Sequence, residues 1–304
     1  MAAAVKPVVT LVGLGNMGAA IGERLLDAGY PLRVFNRSPG RDEALVERGA
    51  ERLSSLAAAL ADHEICLLSL ADDDAVEDVT LGAEGVLAGA ARGHTLIDMS
   101  TISLGASRRV AEAAEDAGVG FLRAPLSGNP TAVRSGNAAV VVSGPAAVAR
   151  EHEPLLRAIA PTVRYVGDGE RARVLKLVLQ VLIGGTAELL AEGLVLGEAA
   201  GIERKALLEV IGASVVGSRF VEYKTGPLLA DDYAATFTTA MMEKDVELVL
   251  DLSDEVGVDL PLTRELRSLL EAASDAGHGD EDFMALLLLL QARARDAEPA
   301  KGKG

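Results

Sequence analysis

The chain has 304 residues, more than one hydrophobic core usually supports, so we predict two domains. Its formal net charge of −16 argues against nucleic acids and anionic membrane surfaces as partners. The lone cysteine, Cys66, excludes a disulfide framework and fits a reducing compartment. Glycines interrupt the apolar N-terminal stretch, which lacks a signal-peptide pattern, so we expect a cytoplasmic protein, and we expect no metal site.

A glycine-rich turn follows the first apolar run of the chain. Residues 8–12 form a continuous, β-branched run, typical of a strand buried on both faces. In the turn, Gly13 permits a tight bend, Gly15 lets the backbone approach a pyrophosphate, and Gly18 lets the following helix pack closely on the strand. Strand, glycine turn and helix in this order predict dinucleotide binding at the helix N-terminus. The predicted cofactor contacts in this turn are Gly13, Leu14, Gly15, Asn16, Met17 and Gly18.

The end of the second predicted strand indicates which dinucleotide is bound. Residues 32–35 form this strand, and Asn36, Arg37 and Ser38 follow it. An NAD-binding protein usually carries an acid here for the ribose 2′-hydroxyl. The acid is missing, and an arginine with a serine can hold a 2′-phosphate instead. We therefore predict NADP in preference to NAD, with contacts from these three residues.

Apolar strands and helical patterns then alternate as far as Gly167. Such repeated βα units predict a doubly wound parallel sheet, in which ligands bind beyond the carboxyl ends of the strands. We expect the last two strands to extend this same sheet. The predicted strands are 64–70, 95–99, one beginning at Phe121, 138–143 and 162–166. The segments expected at the ligand-binding edge are Leu70-Ala71, Ser100-Thr101 and 124–129.

Beyond Gly167 the pattern is helical almost to the end. The run from Arg171 to Glu188 is apolar on nearly every side, which predicts a buried helix. Lys176 and Gln180 stand one turn apart on it. A buried lysine costs free energy unless it has a partner or a purpose, although its stem can also pack inward while the ammonium reaches water. The uncharged part of the run is shorter than the roughly 20 residues that span a bilayer, so no membrane span is predicted.

The order of motifs resembles that of the β-hydroxyacid dehydrogenase family, which belongs to the 6-phosphogluconate dehydrogenase superfamily. The family includes relatives of 3-hydroxyisobutyrate dehydrogenase and of glyoxylate/succinic semialdehyde reductases. The resemblance covers nearly the whole chain. It implies an N-terminal Rossmann dinucleotide-binding domain, a long interdomain helix and an all-α C-terminal domain that forms a homodimer or a tetramer. We place the boundary between an NADP-binding domain, 1–167, and a helical substrate and dimerisation domain, 168–304. The motifs that carry the resemblance are residues 13–18, 98–102, 124–128, Lys176 and 243–245.

The resemblance also implies roles for single residues. Lys176 corresponds to the catalytic lysine, and Ser127 with Gly128 to the loop that binds the substrate carboxylate. Hydride transfer to a carbonyl creates an alkoxide that needs a proton, which a lysine can give. The activity implied is hydride transfer between NADP(H) and a small hydroxy acid or aldehyde acid. The further cofactor contacts implied are Leu70, Ala71, Thr101 and Lys244.

Two departures from the family pattern lie in the predicted substrate pocket. The family usually has asparagine where Gln180 stands and a second glycine where Asn129 stands. Gln180 reaches one methylene further, and Asn129 adds a side chain to the substrate loop. We count both as substrate-binding positions, and the substrate need not be 3-hydroxyisobutyrate.

Two other functions stay open at this point. Imine reductases are similar in architecture and through the stretch 36–38, but they generally carry an acidic residue or a tyrosine in place of Lys176. A cofactor-binding protein without catalysis would keep the fold, and the loss of the lysine would be its sign.

Overall fold

The computed structural model describes residues 6–60 and 64–297. These residues form two compact units, the first ending at Lys176 and the second beginning at Leu177. All strands of the described residues belong to the first unit, and the second is helical. The long helix that begins at Arg171 therefore starts in the first unit and continues into the second.

The first unit is built on a six-stranded parallel sheet. Its strand order, 3-2-1-4-5-6, reverses direction between the first and fourth strands, as in doubly wound dinucleotide-binding folds. The first, fourth and fifth strands are buried at every residue, which explains why they read as continuous apolar runs. The strands are β1 Val9–Val12, β2 Leu32–Phe35, β3 Glu51–Arg52, β4 Ile65–Leu68, β5 Thr95–Asp98 and β6 Gly120–Arg123.

Side-chain caps begin some of the helices of the first unit. Asp72 accepts a hydrogen bond from the backbone N–H of Ala75 at 2.8 Å, and Ser103 accepts one from that of Ala106 at 3.0 Å. Each of these contacts satisfies a donor of the first helical turn. The helices of the first unit are α1 Asn16–Asp27, α2 Glu43–Glu47, α3 Asp73–Leu81, α4 Leu104–Asp116, α5 Pro130–Arg134 and α6 Ala146–Ile159.

The last strands of the first unit form a second sheet and do not extend the first, so that expectation is wrong. Arg123 and Ser143 form one isolated antiparallel bridge. Beyond this bridge Ala124 donates to the Asp98 carbonyl and Pro125 has no N–H to donate. The Val141 N–H, which donates to the Pro125 carbonyl at 3.2 Å, continues the contact as far as the pairing of the next two strands. The second sheet has the order 7-8-9, with an antiparallel and then a parallel pair. Its strands are β7 Leu126–Ser127, β8 Ala139–Val142 and β9 Thr162–Tyr165.

The second unit packs its helices around an apolar core that includes Leu194, Val246 and Leu270. Gly184 leaves room for this packing, because a Cβ there would lie 2.6 Å from Leu266 Cδ2 and the leucine side chain would have to move. The helices that form the unit, the first of them shared with the first unit, are α7 Arg171–Ala199, α8 Arg204–Ala213, α9 Arg219–Leu229, α10 Thr239–Val256, α11 Pro261–Ala273 and α12 Leu286–Ala297.

Helix α7 is buried on one side only, which corrects the expectation of a helix buried all round. Leu182, Leu189 and Leu196 are 61%, 66% and 73% exposed. By length and composition alone this is the one helix of the described residues that could cross a membrane, with a mean hydropathy of 1.7 in a window that is 39% buried.

Candidate active site

Each glycine of the first turn has a different steric role. Gly13 has a φ of 92°, and a Cβ there would lie 2.3 Å from the carbonyl oxygen of Ser69. At Gly18 a Cβ would lie 1.9 Å from the carbonyl oxygen of Gly13, so a side chain would separate helix from turn. Above Gly15, by contrast, a Cβ would meet nothing within 4 Å. The turn is therefore closed towards the protein and open at the position where backbone would approach a pyrophosphate.

The N-terminus of α1 is arranged to receive an anion. Gly15 is its N-cap, no side chain caps the helix, and its first turn contains no acidic residue. The backbone N–H groups of this turn therefore meet no competing carboxylate of the helix itself. Asn16 is exposed here and Met17 is half-buried. Leu14, whose N–H is already used within the protein, is buried.

Asn36 connects this turn to the end of β2. Its Oδ1 accepts a hydrogen bond from the Leu14 N–H at 2.8 Å, and its Nδ2 donates to the Ser38 carbonyl at 2.8 Å. The structure thus gives Asn36 an architectural role between the two cofactor segments. Arg37 and Ser38 are both exposed, and within residues 6–60 and 64–297 Arg37 forms no ion pair. A free guanidinium beside a hydroxyl is a suitable donor set for a phosphate.

The ends of β4 and β5 are joined by hydrogen bonds. Ser100 Oγ accepts from the Leu70 N–H at 2.9 Å, and Asp98 Oδ1 accepts from the Ser100 N–H at 2.9 Å. The predicted contacts Leu70, Ala71 and Thr101 lie on these two connected segments, at the carboxyl edge of the parallel sheet. This is the edge at which doubly wound sheets bind their ligands.

The predicted substrate loop follows β7. Gly128 has a φ of 130°, a conformation that favours glycine, so the chain can turn there after Ser127. Asn129 Oδ1 accepts a hydrogen bond from the Ala132 N–H at 2.8 Å and caps α5. The capping contact is a structural reason for asparagine where the family usually has glycine.

Lys176 is half-buried and lies one turn after Arg173 in α7. Arg173 is only 2% exposed, and its Nη2 donates to Asp98 Oδ2 at 2.5 Å. This ion pair attaches the start of α7 to the end of β5. The sequence predicted no role for Arg173, although a charged side chain in so apolar a run is a visible signal.

In the second unit, Gln180 and Lys244 converge on Asp245. Gln180 Nε2 donates to Asp245 Oδ2 at 2.5 Å, and Lys244 Nζ lies 2.9 Å from Asp245 Oδ1. Asp245 is 1% exposed and Gln180 2%. Asp245 ends the motif 243–245, but the sequence predicted no role for it. Among the residues that the structure describes, no three histidine, cysteine or acidic side chains form a group that could hold a metal ion.

Comparison with known protein families identifies both parts of the chain. Residues 8–167 match the NAD-binding domain of 6-phosphogluconate dehydrogenase, and residues 170–290 match the NAD-binding family of NADP-dependent 3-hydroxyisobutyrate dehydrogenase. An uncharacterised oxidoreductase of Bacillus subtilis, YfjR, is 33% identical over 92% of this chain and 98% of its own length. Glyoxylate/succinic semialdehyde reductase 2 of Arabidopsis thaliana is 27% identical over 95% of this chain and 81% of its own.

Solved structures show the same relationship. The structure of 3-hydroxyisobutyrate dehydrogenase from Salmonella typhimurium has a TM-score of 0.86 and 26% identity, covering 93% of this chain and all of its own. An imine reductase from Streptomyces aurantiacus has 26% identity but a TM-score of 0.65, covering 93% of this chain and 99% of its own.

The glycine turn, the strand-end edge and these matches define a β-hydroxyacid dehydrogenase-type, NAD(P)-dependent oxidoreductase. The chain belongs to the 3-hydroxyisobutyrate dehydrogenase-like family of the 6-phosphogluconate dehydrogenase superfamily. The resemblance predicted from its motifs and the predicted fold class are confirmed.

Proposed function

We propose that this oxidoreductase transfers hydride between NADP(H) and a small hydroxy acid or aldehyde acid, with Lys176 as the general acid and base. The observation that carries the proposal is the position of this lysine on α7, because a buried ion pair attaches α7 to the strand-end edge of the dinucleotide-binding sheet. The family membership supplies the reaction class, and Lys176 supplies the group that the reaction needs.

NADP, when bound, supplies or accepts the hydride. In the reductive direction the carbonyl carbon gains a hydride and the carbonyl oxygen becomes an alkoxide. The Lys176 ammonium donates its proton to that oxygen, and the resulting amine regains a proton from solvent. In the oxidative direction the neutral amine accepts the hydroxyl proton.

A carboxylate on the substrate fits the loop at Ser127 and Gly128. A serine hydroxyl and backbone N–H groups are donors of the kind that a carboxylate accepts. The relatives named for 3-hydroxyisobutyrate and for glyoxylate and succinic semialdehyde act, by those names, on small acids. We propose Gln180 and Asn129 as further substrate-binding positions, so the substrate need not be 3-hydroxyisobutyrate.

The preference for NADP rests on Arg37 and Ser38. They are exposed after β2, on the segment that Asn36 joins to the phosphate turn. The remaining proposed contacts are the turn itself, Leu70, Ala71 and Thr101 from the strand ends, and Lys244 from the second unit.

The proposed assembly is a homodimer, or a tetramer, formed through the helical unit. Support comes from α7, whose exposed Leu182, Leu189 and Leu196 recur at intervals of seven residues. Such an apolar stripe suits the equivalent helix of another copy. We propose that this face meets protein and not lipid, that no nucleic acid binds, and that the protein is cytoplasmic, where the buried thiol of Cys66 would stay reduced.

An imine reductase remains the second candidate, favoured by the structural likeness to imine reductases and by the departures at Gln180 and Asn129. The lower TM-score of 0.65 and the presence of Lys176 argue against it. A protein that binds NADPH without catalysis is the third.

Oxidation of NADPH and of NADH, followed by absorbance, tests these functions. The panel is glyoxylate, succinic semialdehyde, methylmalonate semialdehyde and one cyclic imine, with wild type, Lys176→Ala and the exposed-lysine control Lys205→Ala. We expect turnover of an aldehyde acid with NADPH that is lost only in Lys176→Ala. Imine reduction that survives Lys176→Ala would identify an imine reductase, and tight NADPH binding without any turnover would identify a non-catalytic protein.

A further inference from the structure

Arg173 is a buried cation with two fixed acceptors. Its Nη2 donates to Asp98 Oδ2 at 2.5 Å, and its Nη1 donates to the carbonyl oxygen of Ser100 at 3.0 Å. Arg173 is 2% exposed and Asp98 is fully buried. The planar guanidinium is a rigid fork, so two acceptors fix the direction of the side chain as well as its distance.

A second ion pair supports the first. Glu170 accepts a hydrogen bond from Arg123, the last residue of β6, and its other oxygen lies 3.6 Å from Arg173 Nε. Ser143, after β8, donates to the Gly169 carbonyl at 2.6 Å and accepts from the Ala172 N–H at 3.1 Å. The first turn of α7 is therefore attached to the ends of three strands.

Stability alone does not require this arrangement. Two arginines and two acids balance in charge, but removing them from water costs several kcal/mol per ion. Apolar side chains of similar volume often stabilise such a site equally well or better. What an apolar cluster does not provide is a fixed orientation of the helix.

The two carboxylate oxygens of Asp98 accept hydrogen bonds from two different segments of the chain. Oδ2 holds Arg173, one turn before Lys176, while Oδ1 accepts from the Ser100 N–H at 2.9 Å. Ser100 Oγ in turn accepts from the Leu70 N–H at 2.9 Å. One carboxylate thus connects the helix that carries the lysine to both strand-end segments of the proposed cofactor edge.

We infer that Arg173 is a positioning residue, which through Asp98 fixes Lys176 relative to the cofactor edge of the sheet. The inference rests on the proposed function, because it concerns the placement of the proton donor. A displacement of about 1 Å in a reacting group can reduce the rate about 100-fold. Arg173 itself contacts no reacting atom.

The decisive variant is Arg173→Met combined with Asp98→Asn. Asparagine at 98 can still accept from the Ser100 N–H, and methionine occupies much of the space of the arginine stem. The attachment of α7 to the end of β5 is therefore removed, and neither member of the pair remains as a buried charge. We expect kcat to fall about 10- to 100-fold, while KM for the aldehyde acid and the Kd of NADPH change less than about 3-fold. The single variant Arg173→Lys keeps the positive charge but loses the forked geometry of the guanidinium. Its kcat should lie between those of the double variant and the wild type.

A matched control removes a buried ion pair elsewhere. Lys224 Nζ lies 2.6 Å from Asp282 Oδ1 in the second unit, and Lys224 is 3% exposed. Lys224→Met with Asp282→Asn makes the same chemical change and should keep wild-type kcat per folded molecule, with the folded fraction measured by circular dichroism.

The outcomes separate the inference from the proposed function. Turnover that needs Lys176 but is unchanged in the Arg173→Met, Asp98→Asn variant would overturn the inference alone. An equal loss of kcat in the Lys224 control, or a loss that only follows the folded fraction, would also overturn it. Absence of wild-type turnover, or turnover that survives Lys176→Ala, would overturn the proposed function and the inference together.

Discussion

Gln180 and Asp245 form a buried hydrogen bond, 2.5 Å from Nε2 to Oδ2, between helices α7 and α10 of the second unit. Lys244 approaches the other oxygen of the same carboxylate at 2.9 Å. The family usually has asparagine in place of Gln180, and asparagine is one methylene shorter. The Gln180 side chain therefore has a defined hydrogen-bond partner in the second unit, the carboxylate of Asp245.

Replacing Gln180 with leucine should destabilise the protein. Asp245 is 1% exposed and would lose a donor that water cannot easily replace, so we expect a loss of about 1–3 kcal/mol in the free energy of unfolding. Urea denaturation measures it. Gln291→Leu is the control, because Gln291 also donates to a carboxylate, Glu198 at 2.6 Å, but at a half-buried site where the expected loss is smaller. Equal losses in the two variants would contradict the prediction.

Two glycine substitutions in the first turn should have different effects, one on NADPH binding and the other on the stability of the fold. A Cβ at Gly15 meets nothing within 4 Å, so Gly15→Ala should fold normally but bind NADPH at least about 10-fold more weakly, since its methyl group projects into the open site. A Cβ at Gly18 would lie 1.9 Å from the Gly13 carbonyl oxygen, so Gly18→Ala should lower the melting temperature clearly. NADPH titration and thermal denaturation of both variants test this. Unimpaired NADPH binding by Gly15→Ala would show that the pyrophosphate lies elsewhere.

Removing the guanidinium of Arg37 should change cofactor preference. A charge-assisted hydrogen bond contributes about 1.5–3 kcal/mol, so Arg37→Ala should raise the Kd of NADPH by roughly 10- to 150-fold. The Kd of NADH, which lacks the 2′-phosphate, should hardly change. Fluorescence titration measures both, and Arg48→Ala, which removes an arginine paired with Asp27, is the control. A similar loss for both cofactors would assign Arg37 a structural role.

Glu188 should make the stability of the protein fall as pH rises. It is 8% exposed, and neither carboxylate oxygen has a hydrogen-bond partner among the described residues. Burial raises the pKa of Glu188 to about 7 from the ordinary 4.5, with neighbouring Glu192 and Glu265 adding to the shift and Arg293 opposing it. Between these two values the folded protein holds a proton that the unfolded chain has released, so stability is lost with increasing pH.

The test compares Glu188→Gln with wild type across that range. We expect the variant to be more stable at pH 8 by about 1–3 kcal/mol, and the difference to shrink towards pH 5. Glu209→Gln, at an exposed position of α8 and not among the groups that shift the pKa of Glu188, should show no such trend. A pH-independent difference between Glu188→Gln and wild type would mean that Glu188 is ionised in the folded protein throughout.

The exposed stripe of α7 should control assembly. Leu189 is 66% exposed, and a charge there would have to be buried in an interface formed by this helix. Leu189→Glu should convert the proposed dimer into a monomer in light-scattering measurements, whereas Val215→Glu, at a fully exposed loop position, should not. A dimer that survives Leu189→Glu would place the interface elsewhere.

The sequence predicted the elements closely where local signals define them. Strand β2 runs from Leu32 to Phe35, as its pattern indicated, and the first turn has the predicted order of strand, glycines and helix. The second sheet could not be predicted, because the pattern of residues 138–143 indicates a strand but does not say which neighbour it pairs with. The exposed face of α7 was missed for a similar reason: leucine is apolar whether it faces a core or a partner.

By itself the sequence determined the dinucleotide-binding fold, the family and the lysine that is the candidate proton donor. It could do so because the steric demands of the glycine turn act within six consecutive residues. Only the tertiary structure decided the partners of Arg173, Gln180 and Asn129. The first two bond residues 75 and 65 positions away, and no local pattern records such contacts. For Asn129 the deciding fact was that its side chain caps a helix, which depends on where α5 begins.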